Sequence, residues 1–364
     1  MKRPKNPALR QAQRDTSGRF AIVAALGAAL LFGASTPFAK LLSIDISPTV
    51  LAGLLYLGSG IGLWAVRLVR DRGVAAPHLQ STEWGWLIGA IAIGGVLGPV
   101  LLMYGLTRTS AATASLLLNL EAVLTAILAW VVFRENTDRR VVLGMALIVA
   151  GGLVLTWWPT RSSAGGGTLG ALAVAGACLC WAIDNNLTRK VSAADALFIG
   201  GSKGLLAGTT NLILALAIGV SLPGWSMTIA AMVIGLLGYG VSLVLFVMAL
   251  RGLGAARTGA YFSTAPFIGA TIAIATFHES ASMAFWAAAA LMAAGVWLHL
   301  TERHEHEHTH EELVHTHSHR HDSHHQHAHA FAWDGREPHT HAHRHEPRTH
   351  FHPHYPDIHH QHRH

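Results

Sequence analysis

Cysteine and charge are both scarce in this 364-residue chain, and their scarcity excludes two large classes of protein. The only 2 cysteines, Cys178 and Cys180, fall in one apolar segment, which excludes a disulfide framework. Charged residues make up 13% of the chain and hydrophobic ones 51%, and the apolar runs between residues 20 and 300 have only short breaks. Runs of about 20 apolar residues match the hydrocarbon thickness of a bilayer. The sequence therefore predicts an all-α integral membrane protein and not a soluble enzyme.

Ten membrane-spanning helices fit the apolar runs best. The predicted spans are 20–42, 48–68, 84–106, 110–133, 141–158, 169–189, 195–219, 226–249, 256–277 and 282–300. Basic side chains concentrate in the N-terminal segment 1–19 and in alternate loops, whereas the opposite loops hold only Arg108 and Arg161. Because basic loops stay on the cytoplasmic side, the chain is predicted to be a multi-pass protein of the inner membrane with both termini cytoplasmic.

The apolar region contains two related halves. A shift of 144 positions places Phe133 and Glu135 on Phe277 and Glu279, and Gly94 on Gly238. The predicted organisation is therefore a basic N-terminal segment 1–19, a first repeat 20–158, a linker 159–168, a second repeat 169–300 and a tail 301–364. Since five spans is an odd number, the second repeat enters the membrane inverted. Two inverted repeats are typical of secondary transporters.

Several segments carry a resemblance to a known family. Leu31–Lys40 and Cys180–Arg189 resemble the opening helix of the drug/metabolite transporter superfamily, EamA type. The end of the fourth span, Phe133-Arg134-Glu135, and the ninth span from Ala265 to Glu279 resemble the same family. One departure is Glu121-Ala122, where the family usually has proline in the fourth span. The resemblance covers residues 20–300 and implies ten helices and export of small molecules, without indicating one substrate.

Ionisable side chains inside spans are rare, because each costs about 2.5–3.5 kcal/mol at the bilayer centre on insertion scales. Glu121 lies near the middle of its span and is interpreted as a proton or cation carrier, with Asn119 and Thr125 as expected hydrogen-bond partners. The alternative is a neutral acid that ties two helices together. Asp184 and Lys203 are expected to pair at similar depth, either as a functional pair or as a static one. Further candidates for the transport route are Asn185, Asn186, Asn211 and Lys40.

The tail is the second strong signal, since 23 of the 64 residues from Thr301 onward are histidine. It has too few apolar residues to form a core and is predicted to be disordered without ligand. Neutral imidazole suits Zn²⁺, Ni²⁺, Co²⁺ and Cu²⁺, so the tail is predicted to bind a divalent transition metal (Ni, Co or Zn), while the spans need no cofactor. A pH-responsive tail is the alternative. The predicted ligands are His304, His306, His308, His310, His315, His317, His319, His321, His324, His325, His327, His329, His339, His341, His343 and His345.

These features predict a secondary-active transporter that exports a small solute, with the tail metal as cargo or regulator. The expected partners are the lipid bilayer and a small-molecule or metal-ion substrate, with a homodimer left open and no nucleic acid. The alternatives are an organic-metabolite exporter with a metal-regulated tail, and a membrane-anchored metal buffer or sensor without transport. An enzyme is not expected, because the spans lack a nucleophile–base pair.

Overall fold

Helices dominate the apolar part of the chain, because in lipid every backbone N–H and C=O group must find its partner within the protein. The computed structural model describes residues 7–70, 81–133, 139–157, 167–189, 196–253 and 255–301, and within the tail 304–310, 313–319, 339–345 and 348–354. The chain divides into two units, Met1–Glu302 and Arg303–His364. The boundary between them coincides with the change from apolar to histidine-rich sequence.

The first half of the helical unit consists of α1 (Pro7–Leu42), α2 (Pro48–Arg70), α3 (Ser81–Ala90), a π-helical segment π1 (Ile91–Leu97), α4 (Gly98–Arg108), α5 (Ala111–Leu117), α6 (Leu120–Phe133) and α7 (Arg139–Trp157). The second half consists of α8 (Gly167–Arg189), α9 (Ala196–Ala217), α10 (Trp225–Gly235), a second π-helical segment π2 (Leu236–Val241), α11 (Ser242–Leu253), α12 (Ala255–Phe262), α13 (Ala265–Phe277) and α14 (Met283–Leu300).

The prediction of an all-α membrane protein is confirmed for the helical unit. Within the described residues, eight helical segments are long and apolar enough to cross a membrane, and Met283–Leu298 is a shorter apolar helix. The count of ten crossings stays a prediction. The first predicted span, 20–42, agrees with the candidate span Arg19–Leu42, while the helix α1 that contains it begins earlier, at Pro7. The residues before Phe20 include several Arg, Gln and Ala, which favour helix, so the helix continues beyond the apolar span into the basic segment. The predicted linker lies largely outside the described residues.

The outer surface of the helical unit is apolar, as a surface facing lipid must be. Large hydrophobic side chains such as Phe20, Leu68 and Ile218 are exposed on it. Trp157 and Trp225 are 76% and 83% exposed and stand at helix ends, where tryptophans commonly mark the membrane–water interface. Apolar side chains exposed in this way would favour aggregation in water, but they are stable in contact with lipid.

In the described residues, four of the predicted spans are interrupted, and the interruptions repeat between the halves. π1 divides the third span and π2 the eighth. A turn at Leu118–Asn119 separates α5 from α6, and a turn at Ser263–Thr264 separates α12 from α13. The shift of 144 places the first turn almost directly on the second. The duplication therefore preserved the breaks as well as the apolar pattern.

Helices α7 and α14 approach closely through small residues. A Cβ added to Gly151 would lie 2.9 Å from the carbonyl oxygen of Ala288, and one added to Gly295 would lie 2.6 Å from that of Gly144. Small residues of this kind allow helix backbones to pack closely in membranes. Larger side chains at either glycine would separate the fifth span from the tenth.

The tail contains strands, which corrects the prediction of a segment without regular structure. β1 (His304–His310) pairs antiparallel with β4 (Arg348–His354), and β2 (Leu313–His319) pairs antiparallel with β3 (His339–His345). The His-x-His pattern has the two-residue period of a strand, which the prediction from polarity overlooked. The predicted ligands His321, His324, His325, His327 and His329 lie outside the described residues.

Candidate transport site

The π-helical segments connect the two halves reciprocally. A Cβ added to Gly94 of π1 would overlap the carboxyl group of Asp184 on α8, and one added to Gly238 of π2 would overlap the side chain of Ser35 on α1. The interrupted helix of each half thus packs against the first helix of the other half. Interrupted helices at corresponding positions of two repeats indicate where a transporter binds its substrate, and π-helical turns are frequent at functional sites.

Side chains from three helices cap the carbonyl groups of π1. The oxygen of Gly94 accepts hydrogen bonds from Trp181 Nε1 at 2.9 Å and from Tyr56 Oη at 3.2 Å. The oxygen of Gly95 accepts one from Asn211 Nδ2 at 3.4 Å. Such bonds satisfy polar backbone groups that water cannot reach inside a bilayer. Helices α2, α8 and α9 are thereby fixed around π1.

Asp184 and Lys203 form an ion pair beside π1. Lys203 Nζ lies 2.5 Å from Asp184 Oδ1 and 2.6 Å from Oδ2. Thr188 Oγ1 donates to Asp184 Oδ1 at 2.9 Å and accepts from Lys203 Nζ at 3.2 Å. The two side chains are only 8% and 17% exposed, so each charge depends on the other for its stability. The predicted pairing is present, while its part in transport stays a prediction.

Glu121 lies in the first turn of α6, directly after the turn that ends α5. Its Oε1 accepts a hydrogen bond from Asn185 Nδ2 at 2.9 Å, and the same Nδ2 is 3.4 Å from Thr125 Oγ1. The first turn of a helix favours negative charge because of the helix dipole. Glu121 also interacts electrostatically with Asp184 and Lys203. The site therefore contains two carboxyl groups and one ammonium group.

We expected Asn119 and Thr125 to form hydrogen bonds with Glu121, but neither residue does so among the described hydrogen bonds. Asn119 Nδ2 donates to the carbonyl oxygen of Leu116 at 2.9 Å and approaches Met292 Sδ at 4.0 Å. Asn119 caps the turn between α5 and α6, which the prediction of an unbroken span could not include. Ser263 Oγ makes the equivalent bond to Ala260 O at 2.8 Å in the second half, which identifies this as a structural role.

A series of aromatic rings extends from the polar site through the bundle. The ring centroids of Tyr56 and Tyr239 are 5.7 Å apart, and those of Tyr239 and Phe32 are 6.0 Å apart. Phe32 then contacts Phe262 at 5.3 Å, and Phe262 contacts Phe246 at 4.9 Å. The rings come from helices of both halves and are half-buried. Sequence reasoning did not assign most of them a place in the route, because nothing local separates such rings from ordinary packing residues.

A family model described as the EamA-like transporter family matches residues 19–157 and 168–301. The chain belongs to the EamA-like transporter family. The two matched segments coincide with the two predicted repeats. Family membership establishes a multi-pass membrane transporter, implies a small-molecule substrate and points to a transporter that is not an enzyme.

Two proteins named as transporters resemble the chain over most of its length, and a third resembles a shorter part of it. An uncharacterized transporter of Methanothermobacter thermautotrophicus is 26% identical over 291 residues, which cover 76% of this chain and 84% of that protein. The uncharacterized transporter YyaM of Bacillus subtilis is 24% identical, with 69% of this chain and 84% of that protein covered. A probable 4-amino-4-deoxy-L-arabinose-phosphoundecaprenol flippase subunit, ArnE, of Pseudomonas fluorescens is 36% identical over 104 residues, which cover 29% of this chain and 89% of that subunit.

One solved crystal structure shares the fold. It superposes with a TM-score of 0.58 at 18% identity and covers 77% of this chain and 96% of its own. At that identity the likeness concerns the fold alone.

Of the other predicted residues in this EamA-like protein, Asn185 and Asn211 contact the site and Lys40 does not. Asn186 Nδ2 donates to Ala182 O at 2.8 Å and to Thr125 O at 3.4 Å, so it links α8 to α6. Lys40 Nζ donates to the carbonyl oxygen of Leu106 at the end of α4 and interacts electrostatically with Glu279. Lys40 therefore lies at one end of the helix bundle, outside the described contacts of the candidate site, and its part in transport stays a prediction.

Proposed function

We propose that this protein is a proton-coupled transporter that exports a small solute from the cytoplasm, with Glu121 as the proton carrier. The observation that carries the proposal is the contact set of Glu121, which joins α6 to α8 through Asn185 and interacts electrostatically with the Asp184–Lys203 pair. Two carboxylates and one ammonium leave one surplus negative charge. A surplus charge among membrane-spanning helices is costly, so this site favours uptake of one proton or of one cationic group.

The charge surplus gives a simple basis for coupling. A proton and a cationic solute that both neutralise Glu121 compete for one place, and the release of one favours binding of the other. The adjacent π1 carbonyls and the aromatic series from Tyr56 to Phe246 supply polar and apolar contacts for an organic solute. This combination supports an organic solute better than a bare divalent ion. No cluster of three metal-ligating side chains occurs in the part of the chain whose side chains are described.

The tail completes the proposal as a binding segment for Ni²⁺, Co²⁺ or Zn²⁺ that regulates transport or delivers the metal as cargo. Its histidine content supports this role. The inner membrane and the cytoplasm are the proposed locations of the protein and of both its termini. If the transported solute is organic, the tail regulates transport when it binds metal. If the transported solute is a metal ion, the tail binds that ion before it is exported.

A growth screen of a deletion strain, metal by metal, tests these roles. The strain is complemented with the full chain, with Glu121→Gln, with a chain that ends at Thr301, and with Asp45→Asn as an exposed carboxylate control outside the site. We expect the deletion to sensitise cells to a metal, Glu121→Gln to abolish protection, and loss of the tail to weaken it. Unchanged tolerance to every metal would remove metal as cargo, and metal-independent uptake of labelled amino-acid-like solutes by inverted vesicles would favour an organic cargo.

The histidine content of the tail also favours a second function, a membrane-anchored metal buffer without transport. This function predicts that the tail expressed without the helical unit gives full metal tolerance. It also predicts that Glu121→Gln and Asp184→Asn leave tolerance unchanged. A solute flux that stops in Glu121→Gln vesicles contradicts it, because a buffer has no need of a carboxyl group inside the bundle.

A further inference from the structure

One end of the helical unit is held together by a carboxylate from the second half. This end, which we call the joined end, contains the last residues of α1, α4 and α13 and the first residues of α5. Glu279 follows α13 and accepts the backbone N–H groups of Ala111 and Ala112 on its two carboxylate oxygens. Both alanines are buried, so Glu279 takes the place of water as the partner of these N–H groups.

Lys40 strengthens the joined end with the opposite charge. Its Nζ donates to the carbonyl oxygen of Leu106, and the ammonium group interacts electrostatically with Glu279. Leu106 lies near the last residue of α4, and only Thr109 and Ser110 separate α4 from α5. The cation thus bonds a helix C-terminus and the anion a helix N-terminus, which are the signs that the helix dipoles favour. Two opposite charges therefore hold the same corner from α1 and from the second half.

The candidate transport site is accessible closer to the opposite end of the bundle. Helix α8 runs beside α4, α5 and α6 away from the joined end, because a Cβ added to Gly170 would lie 2.9 Å from the backbone of Arg108, whereas Asn186 Nδ2 lies 3.4 Å from the carbonyl oxygen of Thr125. Asn185, which belongs to the site, is exposed in this distant part of α8. The exposed part of the site is thus far from the joined end along α8.

Asn185 does not lie on the lipid-facing side of α8. That side is marked by Leu172 and Leu179, which are both exposed. Asn185 is six residues after Leu179, and at about 100° per residue this turns it about 120° away from that side. Trp181, one turn before Asn185 on the same face, donates to π1. Asn185 is therefore exposed in a cleft within the bundle, on the side of α8 that packs against the other helices.

We propose that Glu279 and Lys40 form a gate that closes the transport route at the joined end, while the site around Glu121 is reached through the cleft at Asn185. This inference rests on the proposed function and adds the residues that control access to its site. Alternating access requires the joined end to open as the cleft closes. The bonds of Glu279 stabilise only the state in which the joined end is closed, so their removal shifts the population toward the opposite state.

Thiol reactivity of the full chain in membrane vesicles tests the gate. The two native cysteines are removed by Cys178→Ala/Cys180→Ala, and one reporter cysteine is introduced at a time. Ala112→Cys reports on the joined end and Asn185→Cys on the cleft. The rate of reaction with a membrane-impermeant methanethiosulfonate that carries an ammonium group is measured in right-side-out and in inverted vesicles. Each reporter is compared only with itself, so its own effect on the site does not enter the comparison.

Three substitutions are combined with each reporter. Glu279→Ala removes the carboxylate of the gate, and Lys40→Met removes the ammonium group while keeping a long side chain. Asp45→Ala is the matched control, because Asp45 is an exposed carboxylate between α1 and α2, at the same end of the bundle. Lys40→Met keeps the test decisive if Glu279→Ala lowers the yield of folded protein.

We expect Glu279→Ala to raise the rate at Ala112→Cys and to lower it at Asn185→Cys by at least about 3-fold each, since loss of a helix cap shifts an equilibrium by about 2- to 30-fold. Lys40→Met should act in the same directions, and Asp45→Ala should change neither rate. A rise at both reporters would overturn the inference, because it indicates a structural cap whose loss loosens the bundle. Unchanged rates at both reporters would overturn it as well.

Uptake of Zn²⁺ and of labelled amino-acid-like solutes by the same vesicles separates this inference from the proposed function. Uptake that depends on Glu121, together with unchanged reporter rates, would overturn the gate and leave the transporter in place. Opposite changes at the two reporters without any uptake that depends on Glu121 would support the gate and overturn Glu121 as the carrier.

Discussion

Glu279 reaches the first turn of α5 from the other half of the protein: its Oε1 accepts the N–H of Ala111 at 2.9 Å, and its Oε2 that of Ala112 at 2.9 Å. Such a carboxylate satisfies two helix N–H groups that have no partner within the helix. The contact joins the end of the ninth span to the start of the fourth. It therefore holds the two halves together at one end of the bundle.

Substitution of Glu279 should loosen this end in steps. Glu279→Gln keeps only one acceptor oxygen, and Glu279→Ala removes both, so we expect thermal stability to decrease in the order wild type, Gln, Ala. The loss for alanine should be about 0.5–2 kcal/mol, as for other helix caps. Thermal unfolding in nanodiscs measures it, with Asp45→Asn as the control. A Glu279→Ala protein as stable as wild type would contradict the capping role.

The contact between π2 and α1 should respond to paired substitution. Gly238→Ala would place a methyl group against Ser35, so we expect transport to fall at least about 10-fold from a shift that misplaces the site. Ser35→Gly should restore much of the loss, because it removes the atoms that the methyl group would meet. Gly85→Ala is the control, since nothing lies within 4 Å of an added Cβ there. Failure of Ser35→Gly to rescue Gly238→Ala would contradict the close contact.

The Asp184–Lys203 pair should be more sensitive to loss of one member than to loss of both. Asp184→Asn leaves a largely buried ammonium without its carboxylate, and breaking a buried pair on one side costs about 3–5 kcal/mol. We expect Asp184→Asn/Lys203→Met to express better and unfold at a higher temperature than Asp184→Asn. Transport should be absent from both. Equal stability of the single and double variants would show that the pair contributes no coupling energy.

Metal binding by the tail should weaken as the pH falls. Only neutral imidazole binds a metal, and an unperturbed histidine has a pKa of about 6.5, so protons compete increasingly below that pH. We expect the Zn²⁺ affinity of the full chain to be constant above about pH 7.5 and to fall at least about 10-fold by pH 5.5. Chelator competition at a series of pH values measures this. Affinity that does not change with pH would exclude histidine as the main ligand.

His278 at the end of α13 should be replaceable by glycine. It has φ 52°, in the left-handed region, and follows the last helical residue, Phe277. Glycine adopts this conformation without steric cost, so His278→Gly should raise stability by up to about 1 kcal/mol, whereas a β-branched residue is strained there. Thermal unfolding of His278→Gly and His278→Val provides the comparison. A more stable valine variant would contradict the backbone argument.

The sequence predicted the helical elements well because the apolar period and the basic loops are strong local signals. It also predicted the Asp184–Lys203 pair, since two ionisable residues at similar depth in adjacent helices stabilise each other in lipid. It did not predict π1, π2 or the turns at Asn119 and Ser263. In uniformly apolar sequence, a change of hydrogen-bond pattern leaves hardly any compositional trace. The one available signal was positional, because Gly94 matches Gly238 and Asn119 matches Ser263.

The strand pairing of the tail was missed for a different reason. The repeat of His-x-His indicates metal affinity locally, but the partner of each histidine is set by strand register. Register depends on contacts between distant residues, which composition does not contain. Polarity suggested disorder, while the same residues have the alternation that strands require.

The reciprocal packing of π1 on α8 and π2 on α1 is symmetric in shape but not in chemistry. The residue that meets π1 is Asp184, which is paired with Lys203, and the residue that meets π2 is Ser35, which is uncharged. One junction therefore depends on an ion pair for its stability, whereas the other is held by close packing alone. The duplicated halves thus meet each other through chemically different surfaces.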